Sequence, residues 1–178
     1  MSHEIPRASR IQIGGNIRDI NDYYHQEGWT DGLPIIPPTE DVVLEMIEAC
    51  SLDSRESLGT MAPLNGTVTV EKIAVNAVMA GCKPDYFPVV IAAVKAVLQP
   101  KFNVAAITTT TGGAAPVVVV SGPIANRLGI HSGTAVFGSG HQANATIGRA
   151  LRLTMRNMGG AKVSTMEKST HGWPGKYT

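Results

Sequence analysis

Cys82 is the residue of this sequence best suited to nucleophilic chemistry. It stands in Gly81-Cys82-Lys83-Pro84, directly before a predicted helix. The unpaired N–H groups at a helix N-terminus and a neighbouring lysine both stabilise a thiolate, the reactive form of cysteine. The sequence therefore predicts Cys82 as a catalytic nucleophile. The alternative is a small buried residue at a tight corner between helices, a common place for cysteine.

A second candidate site is the glycine-rich turn Gly138-Ser139-Gly140-His141-Gln142-Ala143-Asn144. We expect it to follow a strand and open a long helix, so that free backbone N–H groups can bind a carboxylate or phosphate. It matches neither the dinucleotide-binding fingerprint nor a Walker A loop. We predict that Ser139, Gly140 and Asn144 bind substrate and that His141 is a catalytic acid–base. The alternative is a plain connection between strand and helix.

Three arginines, Arg149, Arg152 and Arg156, are spaced to share one face of the helix that follows this turn. Arg149 lies closest to the turn, little more than one helical turn beyond Asn144. Its planar guanidinium suits a carboxylate, so we predict that Arg149 binds the substrate anion. A solvated basic face is the alternative.

Hydroxyl side chains follow two predicted strands, in Thr108–Thr111 and at Ser121. Ligands of α/β proteins commonly bind beyond strand ends, so we predict that Thr110 and Ser121 also bind substrate. The alternative is that the threonines are simply good strand residues. Ser121 is not in a GxSxG elbow, so serine hydrolase chemistry is not supported.

Composition excludes several classes of protein. Fifteen Lys+Arg against fourteen Asp+Glu leave a net charge of +1, which disfavours nucleic-acid and anionic-membrane binding. The histidines His131, His141 and His171 lack metal-ligand spacing, so a metal site would need tertiary assembly, and we expect no metal and no cofactor. No signal peptide and no apolar stretch of about 18 residues is found, so we expect a cytoplasmic protein with no membrane partner.

The elements that position these residues indicate a mixed α/β fold. We expect a small mixed sheet flanked by helices, with Gly-rich turns at strand ends and an extended N-terminal proline-rich arm. Residues 1–39 would form the arm and residues 40–178 a single α/β domain. Predicted helices cover Ile17–His25, Glu40–Cys50, Val70–Ala80, Asp85–Leu98 and Gln142–Met158. Predicted strands are Asn103–Thr109, Pro116–Val120 and Val136-Phe137, and Ser51–Gly66 is predicted as a linker.

The proline-rich part of the arm, Trp29–Thr39, is predicted to be extended, because three of its residues between Pro34 and Pro38 are prolines. Asp31 and Trp29 could line a cleft or seal an interface there. Only 16% of residues are charged and the helix Asp85–Leu98 is almost all apolar, so we expect an oligomer.

Four segments resemble one bacterial family: GWTDGLPIIPPT, AVNAVMAGCKPDYFPVVIAAVKAVL, SGPIANRLGI and GHQANATIGRALRLTMRNMGG. That family occurs beside, or fused to, UGSC proteins, which carry a selenocysteine- or cysteine-Gly-Ser-Cys motif. The resemblance covers about Trp29 to Tyr177 and implies thiol or selenol chemistry and a second protein subunit. The U/C-G-S-C motif itself is absent from this chain, which places the most reactive sulfur on the partner.

These observations lead to two hypotheses. The first is a subunit of a hetero-oligomeric enzyme that acts on a small anionic, carboxylate-type substrate by cysteine- or selenocysteine-dependent chemistry, as a lyase, hydratase or redox enzyme. The second is a non-catalytic partner subunit that completes the active site of a UGSC-type protein.

Overall fold

Seven α-helices and one two-stranded antiparallel sheet make up the part of the chain that the structure, a computed structural model, describes: residues 8–163 and 165–170. The elements are α1 (Ile17–Gln26), α2 (Glu40–Glu48), β1 (Ser57–Met61), β2 (Gly66–Thr69), α3 (Val70–Ala80), α4 (Phe87–Val97), α5 (Val104–Thr109), α6 (Pro123–Arg127) and α7 (Gln142–Gly159). Short 3₁₀ helices at Pro84–Tyr86 and Pro100–Phe102 precede α4 and α5. The predicted mixed α/β fold, a small sheet flanked by helices, is confirmed.

The core is built around α3, which packs against α2, α4 and α7. Local signals fix both of its ends. The Thr69 side chain accepts a hydrogen bond from the Lys72 N–H at the start, and Gly81 ends the helix with φ of 85°. Nine of its eleven residues are buried, which fits a helix surrounded by other elements. The helix α7 also packs on α4, β1 and β2, so α3 and α7 carry most of the domain.

The observed sheet lies where the sequence predicts a linker. β1 pairs with β2 in the register Met61↔Gly66 and Thr60↔Thr67, and the turn between the strands ends at Asn65, whose φ is 57°. Asn65-Gly66 is a common hairpin dipeptide and is the signal that could have found this turn. Gly66 is required for packing, because a Cβ there would overlap the Met158 carbonyl oxygen of α7.

The three predicted strands are wrong. Asn103 caps α5 by accepting a hydrogen bond from the Ala106 N–H, and the rest of the first predicted strand, Val104–Thr109, is helical. The threonine hydroxyls donate to backbone carbonyls one turn earlier. Pro116–Val120 runs without a turn or bend but pairs with no strand among the residues that the structure describes. Val136-Phe137 lies in a turn. The glycine-rich turns therefore connect loops to helices and do not follow strands.

The proline-rich part of the arm, Trp29–Thr39, contains no helix or strand. It packs on the domain through buried Ile35, and Trp29 makes edge contacts with the rings of Tyr23 and Tyr24. No single helix in the described residues has the length and apolar character to cross a membrane. The segments Pro84–Val97 and Pro100–Thr109 pass that test only as a pair bent by 73°.

Candidate functional site

A cavity of about 210 Å³ lies beside the N-terminal half of α7. One wall is the extended segment Pro116–Val120, another is the loop from Ile130 to Gly138, and the floor is α7 from Ala143 to Arg152. Most of the lining side chains are apolar, Phe137 and five valines among them. The polar side chains that reach it are few: His131, Ser132, Asn144 and Arg152. An apolar body with a few polar groups is typical of a site for a small organic molecule.

Asn144 fixes the loop that carries His131. Its Nδ2 donates to the His131 carbonyl oxygen at 3.0 Å, and its Oδ1 accepts from the His131 N–H at 2.9 Å. Both backbone groups of one loop residue are therefore bound to one side chain of α7. Asn144 lines the cavity, where the sequence analysis expects it. Its side-chain amide, however, is already hydrogen-bonded to the backbone of His131, so Asn144 holds the loop in place.

Two imidazoles, those of His131 and His141, stack face to face beside the cavity. Their ring centroids are 3.9 Å apart and the rings are within 6° of parallel. The Thr134 carbonyl oxygen lies 2.8 Å from Nε2 of His131. A carbonyl only accepts, so Nε2 carries the hydrogen and Nδ1 of the neutral ring is an acceptor. His141 thus reaches the site by contact with a second histidine, which the sequence analysis weighed only as a metal ligand.

The start of α7 offers free backbone donors. His141 is the N-cap residue, but its side chain makes no capping hydrogen bond. The Ala145 N–H is the first in the helix that bonds back to the His141 carbonyl. The N–H groups of the preceding helical residues therefore have no intrahelical acceptor, and they carry the positive end of the helix dipole. The start of α7 therefore has the free backbone N–H donors that the sequence analysis expects for an anion site.

Arg149, in contrast, does not point to this turn. Its Nε and Nη2 donate to the two carboxylate oxygens of Asp31, each at 2.9 Å, and Nη2 also donates to the Pro34 carbonyl oxygen at 2.9 Å. The prediction that Arg149 is the free carboxylate receptor is wrong, because its planar fork is already occupied by Asp31. Arg149 and the cavity-lining Asn144 lie on different sides of α7.

Arg152 lies at the cavity and forms an ion pair with Glu167. The two side chains are 15% and 10% exposed. Burial lowers the pKa of Arg152, and the neighbouring Arg156 lowers it further. Because Glu167 balances the charge of Arg152, this pair adds little net positive potential to the cavity.

The surroundings of Cys82 favour the protonated thiol over the thiolate. Burial raises the pKa of Cys82 to about 12, although the side chain of Thr146 and the charge of Arg149 act in the opposite direction. Its Sγ donates to the Thr146 carbonyl oxygen at 3.2 Å, and its backbone N–H bonds to the Ala77 carbonyl at the end of α3. Cys82 does stand just before a helix, as predicted, because Lys83 is the N-cap of Pro84–Tyr86. It also follows the C-terminal end of α3, where the helix dipole disfavours a thiolate, and burial outweighs any activation.

The remaining predicted residues do not line the cavity. Ser139 and Gly140 are exposed in the loop just before α7. Thr110 follows α5, where its hydroxyl accepts from the Gly112 N–H at 3.0 Å. Ser121 is exposed and borders a separate groove beside α4. Of the predicted residues, the structure thus brings Asn144 to the cavity and His141 to its edge. Ser139, Gly140, Thr110 and Ser121 lie elsewhere.

A larger cavity of about 620 Å³ lies between the arm and α3. Its central polar groups are structural. Nδ2 of Asn157 donates to Oδ1 of Asn76 at 2.7 Å and to the Trp29 carbonyl oxygen at 3.0 Å, which ties α7, α3 and the arm together. In the described residues no three His, Cys, Asp or Glu side chains are grouped to hold a metal ion. His171 lies outside the described residues.

Comparison of the chain with models of protein families, with curated proteins and with solved structures finds no match.

Proposed function

We propose that this chain is a subunit of a hetero-oligomeric bacterial enzyme and that it binds a small carboxylate-type substrate in the cavity beside His131 and His141. One observation carries the proposal: an apolar cavity of about 210 Å³ adjoins the uncapped start of α7 and a stacked pair of histidines. The reaction is cysteine- or selenocysteine-dependent, of the lyase, hydratase or redox kind, as the resemblance to UGSC-associated proteins implies.

The cavity selects the body of the substrate by size. A water molecule takes about 30 Å³ in the liquid, so 210 Å³ accommodates roughly seven water-sized groups. The lining by Val117–Val120, Phe137 and Ile147 favours an unbranched or lightly branched aliphatic body.

The start of α7 supplies the recognition of the anionic group. Two of the three nearby arginines are engaged by carboxylates, Arg149 by Asp31 and Arg152 by Glu167. The positive potential that remains for a substrate comes from the N–H groups at the start of α7 and from the histidines. Nδ1 of His131 is free of the bond to Thr134, so it or the stacked His141 can exchange a proton with the bound molecule.

The reactive sulfur or selenium comes from a partner chain in this proposal. The pKa of Cys82, about 12, favours the protonated thiol, and this thiol donates its hydrogen bond to the Thr146 carbonyl oxygen. The resemblance also assigns the U/C-G-S-C motif to the second protein. This chain therefore contributes substrate binding and proton transfer.

The protonated state of Cys82 also favours a second candidate, a non-catalytic partner subunit that completes the active site of a UGSC-type protein. The two candidates differ in what the chain does alone. The first requires that the cavity binds carboxylates without a partner, whereas the second requires binding only in the assembled complex.

Calorimetric titration with straight-chain carboxylates of increasing length tests the first candidate. Each added CH₂ that is buried is worth about 0.8 kcal/mol, so affinity should rise about fourfold per carbon until the cavity is full. Ala145→Leu, which fills the cavity from α7, should shorten the best chain length. His141→Gln should weaken binding about tenfold. The matched change His25→Gln, on exposed α1, should have no effect. Affinity that does not depend on chain length, or equal effects of the two histidine changes, would rule the cavity site out.

A further inference from the structure

The cavity of about 620 Å³ between the arm and α3, here named the arm cavity, is within the range of about 300–1,000 Å³ that is usual for small-molecule sites. Ser9, Arg10 and Trp29 belong to its arm side, and Lys72 and Met79 belong to its α3 side. Among the described residues, none lines both this cavity and the one beside the histidines. The arm cavity is therefore a separate candidate for a ligand.

Hydrogen bonds hold the walls of the arm cavity in place. The Ala8 N–H donates to Oε1 of Glu71 at 2.8 Å, and the Ile36 N–H donates to the Met79 carbonyl oxygen at 3.3 Å. Both bonds join the arm to α3, and the bond from Asn157 to the arm, described above, adds α7. A ligand therefore meets a site that already exists and does not have to order the arm on binding.

Two lysines give the arm cavity positive charge that no carboxylate balances in the described part of the chain. Lys72 and Lys162 both line it, and neither forms an ion pair there. The acidic lining residue Glu40 is paired with Arg10. Nζ of Lys72 donates to the Thr67 carbonyl oxygen at 3.0 Å, which leaves two of its hydrogens for a ligand. The arm cavity should therefore attract an anion.

The ammonium group of Lys162 lies close to the aromatic side chains of the arm cavity. A Cβ at Gly28 would be 3.3 Å from its Nζ, and the next residue, Trp29, lines the cavity together with Tyr24. The rings of Tyr24 and Trp29 are in edge contact, with centroids 5.5 Å apart. Aromatic rings beside an unpaired cation suit a ligand that joins a planar ring to an anionic group.

Asn157, which also lines the arm cavity, has one acceptor that is not used. Its Nδ2 donates both hydrogens, to Oδ1 of Asn76 and to the Trp29 carbonyl oxygen. Nδ2 of Asn76 donates in turn to the Lys72 carbonyl oxygen at 2.8 Å, which fixes the orientation of both amides. Oδ1 of Asn157 is buried and has no hydrogen-bond partner in the described residues. A buried acceptor without a donor is unfavourable, so an N–H or O–H group of a ligand would stabilise it.

We propose that the arm cavity binds a small aromatic anion, a planar ring that bears an N–H or O–H group and is joined to a phosphate or carboxylate. The ring packs on Trp29 and Tyr24. The anion pairs with Lys162 and Lys72, and the ring donor binds Oδ1 of Asn157. A mononucleotide and an indole carboxylate share this chemistry. The site is independent of the carboxylate cavity beside the histidines and does not need that cavity to bind anything.

Calorimetric titration of the full chain with adenosine monophosphate and with indole-3-acetate tests the proposal and distinguishes the two sources. Binding of either probe should weaken about tenfold or more when its anion is removed, as in adenosine or indole-3-acetamide. In the series of acids, 1-naphthylacetate lacks the ring N–H and should bind about tenfold more weakly than indole-3-acetate. No binding of either probe at millimolar concentration, or equal binding of the charged and neutral forms, would overturn the proposal.

Variants place the binding in the arm cavity. Lys162→Gln should weaken binding of the probe about tenfold, because it removes a charge-assisted bond to the anion. Lys168→Gln is the matched control, since Lys168 is exposed and does not line the arm cavity. Ala145→Leu, which fills the cavity beside the histidines, should leave the affinity unchanged, so the two sites succeed or fail separately. Equal effects of the two lysine changes, or a loss with Ala145→Leu, would overturn the proposal.

NMR of the indole N–H supplies a readout at the site itself. The sequence contains two tryptophans, so a Trp173→Phe variant leaves Trp29 as the source of the indole signal. That signal should shift as the probe is added and should saturate at the dissociation constant that calorimetry gives. Circular dichroism checks that every variant keeps the helical content of the wild type. A probe that binds without moving the Trp29 signal lies elsewhere, and the proposal would then be wrong.

Discussion

Arg149 binds the carboxylate of Asp31 through two parallel hydrogen bonds, from Nε to Oδ2 and from Nη2 to Oδ1, each 2.9 Å long. The side chains are 12% and 13% exposed, so water screens the pair only weakly. Asp31 belongs to the proline-rich part of the arm and Arg149 to α7. The pair, with the bond from Arg149 to the Pro34 carbonyl, therefore fixes the arm to the domain in a region without helix or strand.

Arg149→Lys should lower the free energy of unfolding by about 1–3 kcal/mol, because lysine keeps the charge but cannot make both bonds to a buried carboxylate. Urea unfolding followed by circular dichroism measures the loss. Arg18→Lys, on the exposed face of α1, is the control and should change stability little. The affinity for carboxylates should stay within about twofold of the wild type. A stable Arg149→Lys variant with tenfold weaker binding would instead return Arg149 to the substrate site.

The Asp31–Arg149 pair should also make the free energy of unfolding depend on pH in the acidic range. Burial raises the pKa of Asp31, but the hydrogen bond and the charge of Arg149 together lower it by more, so that it lies below the ordinary 3.8. The folded chain thus binds the proton less readily than the unfolded chain. The stabilisation is fully present above the unfolded pKa and is lost as pH falls through the folded pKa.

Asp31→Asn removes this titration, so the variant should lose less stability than the wild type between about pH 5 and about pH 2. At neutral pH the variant should be less stable, because Arg149 then lacks its counter-charge. Unfolding by urea at several pH values gives both quantities. Asp22→Asn, exposed on α1, is the matched control and should keep the acid-dependent loss of the wild type. If the free energy of unfolding of wild type and Asp31→Asn falls in parallel with pH, other carboxylates cause the loss of stability in acid.

The helices were predictable because their signals are local. Thr69 and Gly81 set the ends of α3, and Gly160, with φ of 74°, ends α7 as the glycine pair predicts. The threonine-rich α5 was mistaken for a strand because β-branched residues favour strands in general. There the Asn103 side chain caps the helix by accepting from the Ala106 N–H, and the hydroxyls of Thr108 and Thr109 find acceptors within the same helix.

The segment Pro116–Val120 shows the limit of such prediction for strands. Its extended conformation follows from five residues, but pairing depends on a second strand that no local pattern specifies. The reverse holds for β1 and β2, where Asn65-Gly66 could have indicated the hairpin, yet the small and polar residues around it resemble a linker.

Only part of the candidate site could be predicted from the sequence. The prediction for Arg149 failed because it considered the distance along the helix and not the rotation around it. Asn144 and Arg149 are five residues apart, which is little more than one turn in rise but about 140° in rotation around a helix. The two side chains therefore point to different sides of α7, one to the cavity and the other to Asp31. The spacing in the sequence already contains that angle. The stacking of His131 on His141 depends on the path of a loop and could not be deduced from their separation.

Cys82 should be a slow nucleophile, the opposite of what its place before Pro84 suggests. A thiol whose pKa is about 12 is almost wholly protonated at neutral pH. The higher intrinsic nucleophilicity of such a thiolate recovers only part of the loss, so alkylation at about pH 8 should be roughly thirtyfold slower than in the unfolded chain. A Cys50→Ser variant isolates the Cys82 thiol for the rate measurement with iodoacetamide, and urea supplies the unfolded reference.

The pH profile of that rate distinguishes a high pKa from mere inaccessibility. The rate should still rise tenfold per pH unit at about pH 10, where free cysteine has already levelled off near its pKa of about 8.5. Cys82→Ser, which leaves only Cys50, is the companion control. A rate that levels off below about pH 8 would show an activated thiol and would return Cys82 to the catalytic machinery. Slow labelling with a steady rise would instead require that a thiol- or selenol-dependent reaction takes its sulfur or selenium from the partner chain.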